Sequence, residues 1–408
     1  MNKVVVIGGG PAGMMAAIYA SKSNQVILLE KNEKLGKKLF ITGKGRCNIT
    51  NNKDISEFFE NIPTNSNFMY SSLYSFTNED TKSFFNELGV ELKVERGDRV
   101  FPSSDKSSDI IKAFERSLHD NSVNVMLNAK VKDLVVENKS IVKLILEDNR
   151  EIKADYFIFA TGGLSYPMTG STGEGFHFAK KLGHSIVDLK PSLVPIEVRE
   201  EWIKNLQGLS LKNVTFQVKD EKDKILYEEF GEMLFTHYGV SGPIVLSGSR
   251  TINNKSNLKA IINLKPALTS EELDKRIQKD FAKYANKDFK NSLDDLLPQK
   301  IIATIIALSK IDENKKVNSI TKEERKKLVN IIQNFQLNIK GLRSIREAIV
   351  TSGGINVKEI DPSTMKSKLV HNLYFAGEMI DVDAYTGGFN IQIALSTGYL
   401  AGTNVGLS

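Results

Sequence analysis

Short runs of apolar residues without polar alternation stand far apart along the chain, at residues 3–7 and within residues 155–163 and 372–378. Such runs are typical of strands in a parallel sheet that is buried on both faces. A glycine-rich turn and a helix of small residues follow the first run, and a second apolar strand, QVILLE, occupies residues 25–30. This order predicts a βαβ unit, the starting unit of a Rossmann-like α/β domain.

The periodicity between these runs predicts further elements. Apolar residues at helical spacing predict amphipathic helices at 79–88 and 107–118. Residues 123–147 alternate as strands, with a turn at Glu137-Asn138-Lys139. The other predicted elements are a helix from Gly175 to Leu182, short alternating strands within 191–265, lysine-rich helices from Ser270 to about Leu337, a short helix at 342–350 and a closing helix at 387–402.

These elements predict an α/β fold in which a Rossmann-like dinucleotide domain, a parallel sheet with helices, is interrupted by two insertions. The first insertion is a β-barrel-like domain and the second is a small helical domain, whose apolar face lies mostly in residues 293–309. The predicted segments are 1–190 for the first part of the dinucleotide domain, 191–268 for the β-domain with a return segment at about 338–354, 269–337 for the helical domain, and 355–408 for the C-terminal part.

Composition restricts the class of protein. The 408 residues are 41% hydrophobic and 25% charged, which is typical of a globular chain. Cys47 is the only cysteine, so no intrachain disulfide or cysteine zinc site is expected, and we predict no metal site. No apolar run has the length of a membrane span, and the strand at 3–7 leaves no room for a signal peptide, so a cytoplasmic protein is expected. The net charge of +6 permits an anionic partner such as RNA without requiring one.

The turn after the first strand carries the spacing Gly8-x-Gly10-x-x-Gly13. In a dinucleotide fingerprint the first glycine permits the tight turn, the second lets the backbone approach the pyrophosphate, and the third lets the helix pack against the strand. The helix N-terminus at Pro11 and Ala12 then offers N–H groups to the phosphates. Glu30 ends the second strand at the distance expected for an acceptor of ribose hydroxyls, with Lys31 beside it.

The C-terminal segment separates FAD from NAD. Gly377 and Glu378 follow a strand, and Gly387 and Gly388 open the last helix at Phe389, Asn390 and Ile391. The arrangement is similar to that of flavoproteins with two dinucleotide folds, in which such an acid lies near the ribityl chain and the last helix points at the pyrimidine edge of the flavin. Helix N–H groups stabilise the negative charge that a reduced flavin carries there.

The whole chain resembles a family of bacterial FAD-dependent flavoproteins that includes aminoacetone oxidase and 3-dehydro-bile-acid Δ4,6-reductase. The motifs that carry the resemblance are KLGKKLFITGKGRCNITN (34–51), RVFPSS (99–104), ATGGLSYPMTGSTGEG (160–175), LFTHYGVSGP (234–243) and AGEMIDVDAYTGGFNIQ (376–392). The family pattern usually has Gly-Pro where this chain has Ala384-Tyr385, and the departure bears on the substrate.

The resemblance implies further contacts. The loop GKGRCN, with Gly43 and Asn48, is expected to lie over the FAD, and Arg46 and Lys38 to meet phosphate or flavin carbonyl oxygens. Cys47 is either a proton donor or a small side chain packed beside the cofactor. The remaining expected contacts are Ala160, Thr161 and Gly162 near the adenosine or pyrophosphate, Val131 at the adenine, and His237, either a proton donor or a structural histidine.

Three activities are compatible with the resemblance. The first is reduction of a C=C bond conjugated to a carbonyl, as in a 3-oxo-Δ4 bile acid or steroid. The second is reduction of uridine C5=C6 in ribosomal RNA, and the third is oxidation of an amine of the aminoacetone type. Because the chain has no second GxGxxG, we expect NADH or NADPH to bind only transiently as electron donor. Nothing in the sequence fixes the oligomeric state.

Overall fold

The computed structural model describes residues 1–253 and 255–407. They form two compact units, one of residues 1–192 with 345–408 and one of residues 193–344. The strands in chain order are β1 (Lys3–Ile7), β2 (Gln25–Leu29), β3 (Thr50–Asn51), β4 (Leu92–Glu95), β5 (Arg99–Pro102), β6 (Asn124–Met126), β7 (Val131–Glu137), β8 (Ser140–Leu146), β9 (Glu151–Lys153), β10 (Tyr156–Phe159), β11 (Ile186–Ser192), β12 (Ile196–Val198), β13 (Ser210–Lys219), β14 (Ile225–Phe235), β15 (Gly239–Ser241), β16 (Lys259–Asn263), β17 (Phe335–Leu342), β18 (Val350–Ile355) and β19 (Leu373–Phe375).

Helices connect and cover these strands. In chain order they are α1 (Pro11–Ala20), α2 (Lys37–Ile41), α3 (Tyr70–Ser75), α4 (Asn78–Glu87), α5 (Ser107–Asp120), α6 (Glu174–Lys181), α7 (Pro243–Ser249), α8 (Ser270–Lys283), α9 (Gln299–Ser309), α10 (Lys322–Gln333) and α11 (Phe389–Asn404). No helix of the described ranges is both long enough and apolar enough to cross a membrane.

The first unit is built on a five-stranded sheet in the order β19-β10-β1-β2-β6. Every neighbouring pair in it is parallel. Val4, Val5 and Val6 of β1 are fully buried, as expected for a central strand that is covered on both faces. The predicted Rossmann-like sheet is therefore confirmed, and it brings the carboxyl ends of β1, β2, β10 and β19 to one edge.

The second unit contains a closed barrel in the order β12-β15-β14-β13-β16-β17, with antiparallel pairing throughout. Its core continues into the apolar faces of α8, α9 and α10. Thr269 and Thr321 begin α8 and α10 with complete capping boxes, which satisfy the first free N–H groups of each helix. The predicted β-barrel-like and helical parts are both present.

The structure differs from the sequence-based predictions in four places. The helix predicted within 293–309 starts only at Gln299, because Pro298 takes the N-cap position. The predicted helix at 342–350 is wrong, since residues 345–347 form a single 3-10 turn and β18 starts at Val350. Residues 335–337, predicted as helix, open β17, whose burial alternates from residue to residue. Residues 345–354, expected with the β-domain, lie in the first unit, where β18 pairs with β11.

The predicted turn in the 123–147 segment is confirmed. Asn138 and Lys139, with φ of +48° and +58°, connect β7 to β8. Two consecutive residues in the left-handed region give the turn whose twist suits a tight hairpin. β6, just before this hairpin, instead joins the edge of the parallel sheet beside β2.

Candidate cofactor-binding site

The glycine turn after β1 is held tightly by the protein's own backbone at two of its three fingerprint positions. Gly8 has φ of +109°, and a Cβ there would lie 2.4 Å from the carbonyl oxygen of Ala160. A Cβ at Gly13 would lie 1.8 Å from the carbonyl oxygen of Gly8. At Gly10 no protein atom comes within 4 Å of the Cβ position. The space over Gly10 is therefore open to a ligand.

The start of α1 faces that open space with unused hydrogen-bond donors. Gly10 is the N-cap residue, no side chain caps the helix, and its first turn contains no acidic residue. The first N–H groups of a helix have no partner inside it and carry partial positive charge. The backbone at Ala12 and Gly13 is thus suited to bind a diphosphate.

Glu30 closes the other side of the turn. Its buried carboxylate accepts the N–H of Gly9 at 2.7 Å through Oε2 and the N–H of Asn32 at 2.8 Å through Oε1. Oε1 also accepts Nδ2 of Asn32 at 2.7 Å, so these bonds fix the carboxylate directly beside the glycine turn and leave a second lone pair on Oε2 for a hydroxyl donor. The structure therefore brings Glu30 together with Gly8–Gly13, and its role toward ribose stays a prediction.

Helices α1 and α11 pack side by side in the same direction. A Cβ at Gly398 would lie 2.3 Å from the carbonyl oxygen of Ala12, and one at Gly402 would lie 2.4 Å from that of Ala16. Because α11 begins at Phe389, nine residues before Gly398, its N-terminus extends about 13 Å along the axis from the Ala12 contact, at 1.5 Å per residue. Two helix N-termini are therefore presented in one direction and at different heights.

The N-terminus of α11 is also free of side-chain caps and of acidic residues. Gly388, with φ of +102°, begins it, and a Cβ there would lie 2.3 Å from the carbonyl oxygen of Thr50. Asn51 Nδ2 donates to the carbonyl oxygen of Gly387 at 3.0 Å. Strand β3 thus holds the glycine turn and leaves the backbone N–H groups of Phe389, Asn390 and Ile391 at the helix start.

Both polar atoms of the Asn390 side chain are hydrogen-bonded within the protein. Its Oδ1 accepts the N–H of Ala384 at 2.9 Å, and its Nδ2 donates to the carbonyl oxygens of Ala384 and Tyr385. The N–H of Tyr385 donates to the carbonyl oxygen of Asn61 at 2.9 Å. The Ala384-Tyr385 pair, where the chain departs from the family pattern, is therefore fixed just before α11, and only the backbone of Asn390 remains for a cofactor.

Glu378 lies at the centre of a hydrogen-bonded group. Lys38 Nζ donates to Glu378 Oε2 at 2.6 Å, and Oε1 accepts the hydroxyl of Ser165 and the N–H of Thr351, both at 2.8 Å. A Cβ at Gly377 would lie 2.7 Å from Cβ of Ala12. Lys38 and Glu378, 340 residues apart, thus form one ion pair close to the start of α1. Lys38 thus meets a carboxylate, and its expected contact with a phosphate or flavin carbonyl oxygen stays a prediction.

The guanidinium of Arg46 is also bound by groups of the protein. It is bound by Glu95 and by Asp105, at 2.7 Å to the latter, and lies over the ring of Phe101 at 4.1 Å. The hydrogen bond that Arg46 donates to Glu95 holds the pKa of Glu95 below its usual range. Because its Nε and Nη2 groups bind two carboxylates, Arg46 anchors the 42–46 loop to β4 and β5, and contact with a phosphate or flavin carbonyl oxygen stays a prediction.

Cys47 is fully buried in the core of the first unit. Burial raises the pKa of its thiol to about 12, and the hydrogen bond with Thr42 opposes that rise only in part. The thiol is therefore neutral at physiological pH. Asn48, its neighbour, has a buried Oδ1 for which the described residues provide no hydrogen-bond donor.

We expect Cys47 to resist thiol reagents while the protein is folded. The thiolate is the reactive species, and a pKa of about 12 leaves on the order of 1 in 10,000 thiols ionised at pH 8. Alkylation followed by mass spectrometry should be at least ~100-fold slower for the native chain than for the chain in denaturant. Rapid modification of the folded protein would show that the thiol is accessible.

The other predicted residues are placed as follows. Lys31 Nζ donates to Thr172 Oγ1 at 2.6 Å and pairs with Glu174 at 3.0 Å, so it anchors the 170–175 loop. Val131 begins β7 in register with Leu146, and its contact with adenine stays a prediction. Ala160 lies against Gly8, and Thr161 and Gly162 follow it at the same edge of the sheet.

His237 belongs to the second unit. It is exposed between β14 and β15, with its ring edge-on to Tyr238 at 4.8 Å. Its role as proton donor stays a prediction. Across the described ranges no group of three or more His, Cys, Asp or Glu is placed to hold a metal ion.

Sequence reasoning missed three residues that shape the site. Asn51 holds the turn before α11, and Ser165 and Thr351 hold Glu378. Thr351 Oγ1 also accepts the N–H of Leu164 at 2.8 Å. Asn51 and Ser165 lie inside the family motifs at 34–51 and 160–175, which was the available signal; Thr351 lies outside them all.

The residues present fit FAD. The open space at Gly10, beside uncapped N–H groups, suits a diphosphate. The second uncapped N-terminus, further along the same direction, suits the electron-rich edge of a ring. The unpartnered Asn48 Oδ1 is an acceptor that such a ring can satisfy.

Comparison with known proteins agrees with this geometry. The family model described as HI0933-like protein Rossmann domain matches residues 2–404. The chain is 31% identical over 410 residues to the 3-dehydro-bile acid delta(4,6)-reductase of Clostridium scindens, which covers 98% of both chains. It is 29% identical over 406 residues to a ribosomal RNA dihydrouridine synthase of Haemophilus influenzae, again over 98% of both.

A solved structure shares the fold. The open conformation of a flavocytochrome c3 fumarate reductase aligns with a TM-score of 0.53 and 17% identity, over 99% of this chain and 78% of that chain. At that identity the likeness concerns the fold alone.

Proposed function

Because the chain belongs to the HI0933-like family of FAD-binding Rossmann proteins and is a flavoprotein oxidoreductase, we propose that it reduces a C=C bond conjugated to a carbonyl. The proposed substrate is a ring compound of the 3-oxo-Δ4 steroid or bile-acid type, and the proposed electron donor is NADH or NADPH. The observation that carries the proposal is the 31% identity, over 98% of both chains, to a protein named for reduction of such a compound.

The site supports this chemistry through its two helix N-termini. When bound, FAD supplies a hydride to an electron-poor carbon. The N–H groups at the start of α1 hold the diphosphate, and those at Phe389–Ile391 stabilise negative charge on the ring edge. The ion pair of Lys38 and Glu378 fixes the turn that follows β19. The protein thus fixes the position of the cofactor before any substrate arrives.

Cys47 and His237 are the proposed proton donors for the second carbon of the double bond. His237 is exposed, whereas Cys47 is buried with a raised pKa. Loss of a general acid costs about 10²–10⁴ in rate. The variant that removes the true donor, Cys47→Ser or His237→Gln, should therefore slow substrate reduction by about 100-fold while leaving the reduction of bound FAD by NADH or NADPH unchanged.

Reduction of uridine in ribosomal RNA is the second candidate, and it rests on the 29% identity to a protein of that name. The charge of the helical segment does not favour it over the first. Residues 269–337 contain 14 Lys and Arg against 11 Asp and Glu, a net charge of +3. Several of these cations already pair with acids within the unit: Arg276 with Asp280, Lys283 with Asp295, Lys315 with Glu324, Lys316 with Asp288, and Arg325 with Asp274.

An anaerobic single-turnover experiment tests the choice. The FAD-loaded protein is reduced with one equivalent of NADH or NADPH and then mixed with a 3-oxo-Δ4 steroid, with ribosomal RNA or with buffer. We expect the steroid to restore the visible absorbance of oxidised flavin and to yield the saturated ketone.

Each mixture decides a different point. Reoxidation by RNA alone would replace the proposed substrate with uridine, and reoxidation by neither would refute C=C reduction by this protein. Hydrogen peroxide released from aminoacetone in air would instead indicate an oxidase. The same reagents with free FAD and no protein provide the control.

A further inference from the structure

We propose that Asn48 is a positioning residue for the flavin ring and that its Oδ1 accepts a hydrogen bond from the N3–H of the pyrimidine edge. The proposal rests on FAD as the cofactor of the proposed function. It assigns to one side-chain atom a contact that the fold leaves open.

The Oδ1 atom of Asn48 is a buried acceptor without a donor among the described residues. Asn48 Oδ1 is buried, and no donor among residues 1–253 and 255–407 reaches it. Buried polar atoms are almost always hydrogen-bonded, because loss of water without a replacement partner costs free energy. Neighbouring amides show the usual condition, since Asn51 Nδ2 donates to Gly387 and Asn78 Nδ2 donates to Asn51. Asn48 thus stands apart from the other amides of this region.

Asn48 lies close in sequence to the residues that hold the start of α11. Asn48 immediately precedes the stretch that holds the start of α11, because the N–H of Ile49 donates to Val100 and the carbonyl oxygen of Thr50 lies against Gly388. Asn51 then binds the carbonyl oxygen of Gly387. Asn48 is therefore two residues before Thr50, whose carbonyl oxygen lies against the glycine that begins α11.

The backbone around Asn48 is held in place by contacts within its own loop. The preceding loop holds Lys44 and Cys47 at φ of +60°, a conformation that residues with a Cβ rarely adopt. The N–H of Cys47 donates to Thr42 at 3.0 Å, and Gly43 approaches so closely that a Cβ there would lie 3.1 Å from the nitrogen of Asn48. The loop fixes the position of Asn48 before the cofactor binds.

The chemistry of the atom selects its partner. A carbonyl oxygen accepts hydrogen bonds and repels phosphate, so the partner has to be a donor. Oxidised flavin carries one N–H on its ring, at N3, on the same pyrimidine edge that suits the N-terminus of α11. Acceptance by Asn48 Oδ1 and donation by the α11 backbone are complementary contacts to that edge.

The contact is tested by changing residue 48 and the N3 substituent of FAD, separately and together. The dissociation constants of FAD and of N3-methyl-FAD are measured by fluorescence titration of the apoprotein for the wild type, for Asn48→Ala and for Asn48→Asp. The wild type should prefer FAD about tenfold or more, because the methyl group removes the donor. Asn48→Ala should bind both about equally, and Asn48→Asp, which keeps an acceptor, should retain the preference.

The matched control is Asn372→Ala. Asn372 accepts the N–H of Ile141 and donates to two carbonyl oxygens, so its amide is fully engaged within the fold. This variant should keep the wild-type preference even if its thermal stability falls. Should Asn48→Ala fail to fold, Asn48→Leu, which has a side chain of similar size and no acceptor, takes its place in the cycle.

The outcomes separate the two claims. An unchanged preference for FAD in Asn48→Ala would overturn the role of Asn48 while leaving FAD as the cofactor. A wild-type protein that binds neither compound would contradict the proposed function itself. A wild type that binds both compounds equally would show that N3–H donates to no protein acceptor, which would also overturn the contact.

Discussion

Replacing Gly10 with valine should give a folded protein that no longer retains FAD. Gly10 lies in extended conformation, with φ of −81° and ψ of −179°, which valine adopts readily. No protein atom comes within 4 Å of its Cβ position, so the apoprotein has room for the side chain. The new methyl groups would occupy the space in which a diphosphate approaches the start of α1. We expect the dissociation constant of FAD to rise at least ~100-fold, a loss of about 3 kcal/mol.

The absorbance of bound flavin per chain, together with circular dichroism and thermal unfolding, measures both parts of this result. Gly341→Val is the control, because Gly341 also has no atom within 4 Å of its Cβ position and lies in β17 of the second unit. That variant should remain yellow. A Gly10→Val protein with one FAD per chain would place the diphosphate elsewhere.

The largest loss of stability should come from Gly398→Val. A Cβ at this position would lie 2.3 Å from the backbone oxygen of Ala12, and a backbone atom in a packed helix cannot rotate away. The two helices would have to separate, which would also displace one N-terminus relative to the other. We expect a loss of about 3 kcal/mol or more in the free energy of unfolding, beyond the usual range for overpacked cores.

Urea unfolding compares this variant with Thr403→Val, which introduces the same side chain on the exposed part of α11. The control should change the free energy of unfolding by less than ~0.5 kcal/mol. If Gly398→Val unfolds at the same urea concentration as the wild type, the close packing of α1 on α11 is wrong.

The parts of the fold that depend on local pattern could be predicted from the sequence. The strand, glycine turn and helix at 3–20 follow from adjacent residues, and the turn at Asn138-Lys139 follows from the alternation on either side of it. The start of α11 was predictable from its glycine pair only together with the family resemblance. β17 was missed because the lysine-rich helical pattern before it continues without a break in composition.

The partners of charged side chains could not be predicted in this way. Lys38 meets Glu378 across 340 residues of sequence, and Arg46 meets Glu95 and Asp105 across 49 and 59 residues. The family resemblance implies that these cations meet phosphate or flavin carbonyl oxygens, and the sequence carries no information on which acid lies nearest to them in space. The burial that raises the pKa of Cys47 likewise depends on long-range packing.

We infer that two parallel helix N-termini, at Gly10 and Gly388, hold the diphosphate and the flavin ring of one FAD. A crystal structure of the FAD-loaded protein tests it most directly. We expect diphosphate oxygens at about 3 Å from the backbone nitrogens of Ala12 and Gly13, and the pyrimidine edge of the flavin at the nitrogens of Phe389–Ile391. A diphosphate bound away from α1, or a flavin ring whose pyrimidine edge points away from α11, would contradict it.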